Sequence, residues 1–199
     1  TEKAREGQID PVIGRTEEIS RAINILSRRN KNNPLLVGPA GVGKTAVVEG
    51  LALKIATGDV PAHLAGKRML SLSVPELLAG TKYRGDFEAR VQSLIQTVLA
   101  GNRSIILFID EIHVLVQTKG TEGAINVTDI LKPALARGDL QVIGATSFKE
   151  YQEYILPDEP LERRFQVILV DEPTVKDAIK IVNGIKAKYE DYHNVTISK

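Results

Sequence analysis

The chain has 199 residues, 43% of them hydrophobic and 5% aromatic, with no cysteine, no tryptophan and a formal net charge of +1. That length suits a substantial core in one or two domains, and the interspersed, nearly balanced charges give no general footprint for nucleic acid or a membrane surface. Absence of cysteine excludes disulfide frameworks and cysteine-ligated zinc and fits a reducing compartment, and no apolar run reaches membrane-spanning length.

Residues 1–15 are polar and turn-rich and close on Asp10-Pro11-Val12-Ile13-Gly14-Arg15. Thr16 is placed to cap a helix whose first turn carries Glu17 and Glu18. Ile19, Ala22, Ile23 and Leu26 then share one helical face. The short apolar run Leu35-Leu36-Val37 reads as a strand. It leads into Gly38, Pro39, Ala40, Gly41, Val42, Gly43, Lys44 and Thr45, which fit the phosphate-loop pattern GxxxxGK followed by Ser or Thr. A helix opens from Ala46 and runs over roughly 43–57, stopped by Gly58. Strand, glycine loop, helix is the context in which this pattern carries a mechanism. The glycines let backbone N–H groups converge, and the helix N-terminus adds partial positive charge suited to a polyphosphate. Lys44 would neutralise the β- and γ-phosphates and the Thr45 hydroxyl would ligate Mg²⁺.

Further along, Leu70–Val74 alternates like a strand that Pro75 ends. Phe87, Val91, Leu94 and Val98 mark a helix ending at Gly101. Ile105–Ile109 is continuously apolar, as expected of a strand buried on both faces. Asp110 and Glu111 follow at its carboxyl end, where ligands bind in open α/β sheets. There Asp110 would hold Mg²⁺ and Glu111 would orient and polarise the attacking water; a structural acidic pair capping the next helix is the competing reading. Residues 117–126 form a polar loop, and a helix near 127–137 leads to the strand Val142–Thr146. The hydroxyls of Thr146 and Ser147 suit either a phosphate contact or an ordinary turn or helix cap. Arg163 and Arg164, flanked by apolar residues before the strand Val167–Val170, suit either solvation or a directed role. Val175, Ala178, Ile179, Val182, Ile185 and Tyr189 line one face of a last helix.

His63, His113 and His193 have no ligand spacing and read as partly exposed structural residues, so Mg²⁺ is the one metal expected. The guanine-specificity motif NKxD is absent, which favours ATP over GTP. Five short strands alternating with helices imply an α/β fold with a mostly parallel sheet sandwiched by helices. Residues 1–172 are expected to form the large ATPase subdomain, and 173–199 to start a truncated helical subdomain. The start at Thr1 and the polar end read as a piece of a longer chain.

With both halves of the nucleotide site present, the chain resembles the Clp family of AAA+ unfoldases. More narrowly, it is similar to the first ATPase domain of the ClpB or ClpC type. Almost the whole chain takes part. Besides Gly38–Thr45 and Leu107–Glu111, the likeness rests on Asp10–Arg15, Arg28–Pro34, Ala79–Glu88, Leu131–Gly138 and Leu161–Phe165. It implies that Val12 and Ile13 line the adenine pocket and that Ser147 takes the sensor-1 position, where a second threonine is usual. It also implies that Arg163 and Arg164 are arginine fingers reaching a neighbouring subunit's ATP. Lys82, Tyr83, Arg84 and Gly85 match the pore loop that grips a threaded polypeptide; without the family, Tyr83 reads as a surface tyrosine. Residues 117–126 match a second pore-facing loop that here lacks the usual glycines, and Pro39-Ala40 departs from the usual Glu-Pro.

The resemblance implies an ATP- and Mg²⁺-dependent ATPase working as a homo-hexamer in the cytoplasm or an organelle matrix. Unfolded or aggregated proteins are its expected substrates, and a protease or co-chaperone its further partner. Thr81 and Glu122–Ile125 lean towards the ClpC type. The rival readings are a nucleic-acid motor or loader on the same fold, and a nucleotide-gated scaffold that does not turn over in isolation.

Overall fold

The protein was analysed as a computed structural model that describes residues 1–78, 84–117 and 127–198. Five strands form one parallel sheet: β1 (Asn33–Val37), β2 (Arg68–Leu72), β3 (Ile105–Ile109), β4 (Gln141–Thr146) and β5 (Phe165–Leu169), in the order β2-β3-β4-β1-β5. Parallel neighbours need crossovers, and the helices supply them. In chain order the helices are α1 (Glu2–Arg5), α2 (Thr16–Leu26), α3 (Lys44–Thr57), α4 (Val74–Leu78), α5 (Arg84–Ala100), α6 (His113–Gln117), α7 (Val127–Arg137), α8 (Phe148–Glu150), α9 (Glu159–Glu162) and α10 (Val175–His193), with a π-helical turn at Tyr151–Ile155 between α8 and α9. None of the described helices is long and apolar enough to cross a membrane.

Successive strand residues point to opposite faces, and the sheet therefore divides its apolar side chains between two cores. Leu35, Leu107, Ile109 and Val142 pack on one face with Phe87, Val91 and Ile95 of α5 and Leu131 and Leu135 of α7. Leu36, Ile106, Phe108 and Ile143 pack on the other with Ile19 and Ile25 of α2 and Val47, Leu51 and Ile55 of α3. The route from β1 runs through α3 on this second face. The route from β4 to β5 contributes Ile155 and Leu161 to the first. Adjacent strands β1 and β4 thus send their connections to opposite faces, which opens a crevice at their carboxyl ends.

Several local expectations shift. The strand expected at Leu70–Val74 lies at Arg68–Leu72. Pro75 falls in the first turn of α4, a position that needs no N–H, and the Ser73 hydroxyl accepts from Glu76 N at 3.3 Å. Thr16 is the first residue of α2 rather than its cap; Arg15 takes the cap position without a side-chain capping bond. The stretch expected to be turns begins with α1, which buries Ala4. Helix α10 forms where its periodicity predicts, yet none of its residues is buried.

Candidate functional site

The glycine loop leaves β1 and turns into α3 with Gly43 in the left-handed region at φ 100°. Gly38 is required by close approach: a Cβ there would sit 2.2 Å from the Val170 carbonyl oxygen just past β5. The Lys44 ammonium curls over the loop and donates to the Gly38 and Pro39 carbonyls at 2.9 and 2.8 Å. Opposite, Asp110 follows the last residue of β3, and its Oδ1 accepts from Glu111 N at 2.9 Å. Glu111 adopts φ 49°, a strained region for a non-glycine residue. Ile112 N donates to the Ala145 carbonyl at 3.0 Å and so ties this turn to β4.

These pieces meet in one cavity of about 400 Å³, lined by Gly41, Gly43, Lys44, Thr45, Asp110 and Glu111 on the two facing walls. Ala40, His113, Thr146, Ser147 and Glu150 complete it. A larger hollow of about 510 Å³ shares Thr45 but is lined mainly by α1, α3 and β2, with Phe108 of β3, and does not include the acidic pair. The chemistry points to the smaller cavity, which the glycine loop, a lysine and two carboxylates line together. Its donors are hard oxygens. The Thr45 hydroxyl and the Asp110 carboxylate suit magnesium, which takes few protein ligands alongside phosphates and water. Among the described residues no cluster of three His, Asp or Glu forms a metal site of the protein's own.

The third wall comes from the end of β4 and the start of α8. Ser147 caps α8: its hydroxyl accepts from Glu150 N at 3.3 Å while its own N donates to Glu150 Oε2 at 3.2 Å. The cap and the cavity position coexist in one residue. His113, expected to be partly exposed, is buried instead, with its Nδ1 3.0 Å from the Thr146 hydroxyl and its ring stacked on Tyr154 at 6.3 Å. Tyr154 belongs to the π-helical turn, a local distortion that recurs at functional sites. His63 is exposed, with Nε2 2.9 Å from the Ser27 hydroxyl, and His193 is exposed on α10.

Other expected residues stand apart from the cavity. Val12 packs beside α3, where a Cβ on Gly50 would lie 3.3 Å from it; Ile13 packs against Gly184 of α10. Arg163 is exposed and paired with Glu159 at 2.9 Å. The Arg164 carbonyl accepts from Asn33 Nδ2 at 3.0 Å. Both arginines precede β5, and β5 runs parallel to β1 with Phe165 paired to Asn33. They therefore lie at the opposite end of the strands from the loop, a strand length of roughly 17 Å. Lys82 and Tyr83 lie outside the described residues, as does the loop beyond Gln117 up to residue 126, while Arg84 and Gly85 begin α5. Sequence reasoning missed Arg15. Its side chain is 8% exposed, and its Nη2 donates to the Val42 carbonyl of the loop at 2.6 Å.

Comparison with known proteins bears on the family and the fold. The family model described as "ATPase family associated with various cellular activities (AAA)" matches residues 34–172. The chain is 54% identical over 198 residues to the chaperone protein ClpB of Agrobacterium fabrum and 56% identical over 199 residues to that of Oceanobacillus iheyensis. All of this chain is covered in both cases, but it spans only 23% and 24% of those relatives' lengths. These relatives carry the ClpB name and give no support to the lean towards the ClpC type. Among solved structures, the S. cerevisiae Hsp104–ADP complex superposes with a TM-score of 0.90 at 47% identity, covering 99% of this chain and 33% of that one. A closed-state reconstruction of Hsp104 with ATPγS and FITC casein gives 0.87 at the same identity, again over 99% of this chain and 33% of that one.

Proposed function

The chain belongs to the AAA family of ATPases, in its Clp branch of the ClpB type, and from that premise we propose that it is the ATP-hydrolysing module of a hexameric protein disaggregase that threads polypeptide through a central channel. The observation that carries the reading is the single cavity in which Lys44 and Thr45 face Asp110 and Glu111. Loop amides and the Lys44 ammonium bind the phosphates. Thr45 and Asp110 hold magnesium, which when bound neutralises charge on the phosphoryl oxygens. The Glu111 carboxylate orients water and accepts its proton, and Ser147, with the buried Thr146 hydroxyl beside it, faces the reacting end.

Arg163 and Arg164 complete the site of a neighbouring subunit. Their position just before β5, with the Arg163 side chain exposed, supports action in trans, where such a finger contributes about 10³–10⁵ in rate. Val12 and Ile13 flank the adenine, Tyr83 grips the substrate chain with help from Lys82, Arg84 and Gly85, and the boundary between the two subdomains falls near residue 172. The relatives named as chaperones favour misfolded proteins as substrates, a co-chaperone or protease as further partner, and the cytoplasm or an organelle matrix as the compartment. Neither the nucleic-acid motor nor the scaffold draws support from them.

In the full-length protein, Glu111→Gln is expected to keep ATP binding and lose turnover by about 10²-fold or more, whereas Lys44→Ala loses binding itself. Unchanged ATPase in the assembled Glu111→Gln protein would refute the assigned base. Tyr83→Ala is expected to spare ATPase and abolish unfolding of a tagged substrate; normal unfolding removes the threading role.

A further inference from the structure

We infer that Arg15 is a positioning residue for the phosphate loop, its guanidinium fixing the Val42 carbonyl outward so that the amide on the other side of that peptide bond faces the anion. The inference rests on reading the cavity as a nucleotide site. A trans peptide unit is rigid, with its C=O and the following N–H pointing in opposite directions. Whatever holds the Val42 carbonyl therefore also aims the Gly43 N–H, and Gly43 lines the cavity. Val42 is itself buried, so its carbonyl has little access to water and needs a donor from the protein. Arg15 Nη2 supplies that donor at 2.6 Å.

The guanidinium is held as firmly as it holds. The same Nη2 donates to the Asp171 carbonyl at 3.0 Å, just past β5, and Nη1 donates to Glu18 Oε1 at 2.7 Å in the first turn of α2. One planar fork thus ties the loop both to the segment after β5 and to the first turn of α2, which a point-like ammonium cannot reproduce. The guanidinium lies directly beside Gly43, whose Cβ, if present, would sit 3.7 Å from Arg15 Nε, an ordinary contact. Arg15 is absent from the residues lining the cavity, so its influence there passes through the loop. Lys44 secures two carbonyls on the inner side; Arg15 secures one on the outer side.

The test compares Arg15→Lys and Arg15→Gln with the native full-length protein. Amide hydrogen exchange without nucleotide is expected to speed up across residues 41–44 in both variants and to stay native in β1, β3 and β4. The Mg·ADP dissociation constant should rise about tenfold or more, with KM for ATP rising in step and kcat at saturation changing less than about threefold, the signature of lost uniform binding. Native-like exchange in the loop, faster exchange spread evenly over the sheet, or Mg·ADP affinity within twofold of native would each overturn the inference. Failure of the native protein to bind Mg·ADP would instead defeat the nucleotide reading, while the exchange comparison would still decide the role of Arg15.

Discussion

Strand β1 and helix α10 are both built on apolar residues and meet opposite fates. Every residue of β1 is buried; none of α10 is, with Val175 80% and Val182 62% exposed. The strand is flanked by β4 and β5 and covered by helices on both faces. The helix meets the rest of the protein along residues 10–14: Gly184 lies against Ile13, Asp177 lies near Gly14, and Lys188 pairs with Asp10 at 2.6 Å. The two regions thereby divide the labour. The phosphate loop springs from a fully buried strand, where close packing fixes position, whereas the segment proposed for the adenine is shared with a helix that buries none of its residues.

The sharpest way to break this contrast is to cut the same kind of side chain from both regions. Leu36→Ala, in β1, is expected to cost about 2–5 kcal/mol by urea unfolding, because a fully buried leucine leaves a cavity. Val182→Ser, on α10, should stay within about 0.5 kcal/mol. Comparable losses from the two would mean that α10 is covered in the folded protein and that the contrast is false.

A smaller effect tests the close approach of α10 to Ile13. A Cβ on Gly184 would lie 1.8 Å from Ile13 Cδ1, so Gly184→Ala forces that side chain to turn away. Overpacking of this kind costs about 1–3 kcal/mol, here spent on the docking of α10 rather than on the sheet. Faster exchange in α10 and residues 10–14, with the sheet amides unchanged, is the expected result. Affinity for adenosine nucleotides should fall as Ile13 leaves its place. A native exchange pattern would show that Ile13 and Gly184 do not seat the helix.

The same contrast explains what could be read from the amino-acid sequence. Gly38–Thr45 and the run Ile105–Ile109 are legible because their signals are local: glycines at fixed offsets, and a continuous apolar strand ending in carboxylates. The face of α10 is equally legible as a helix, but periodicity says nothing of what covers it. Strand β2 lies two residues earlier than its alternation suggests, since Pro75 can end a strand but suits the first turn of a helix as readily. Arg15 is invisible in the sequence because its acceptors Val42 and Asp171 lie 27 and 156 residues away. The burial of His113 is hidden for the same reason, its partner Thr146 being 33 residues distant.

The smallest expected effect lies at the start of α10. The Thr174 hydroxyl accepts from Asp177 N at 3.2 Å and donates to Asp177 Oδ2 at 2.6 Å, while Lys180 donates to Oδ1 at 2.9 Å. The Thr174 bond first, then that of Lys180, hold the Asp177 carboxyl below its ordinary range. A carboxyl depressed in the folded state stabilises it above the unfolded value, and that support is lost as pH falls through the lowered folded value. In Thr174→Ala the main cause is gone, so the Asp177 midpoint followed by carboxyl carbon NMR should move up towards the ordinary range. The first turn of α10 should fray while the Leu36 core keeps its unfolding midpoint. An unmoved Asp177 midpoint would mean that Lys180 alone sets the charge at this end, and a shifted core midpoint would show that α10 and the sheet unfold as one unit.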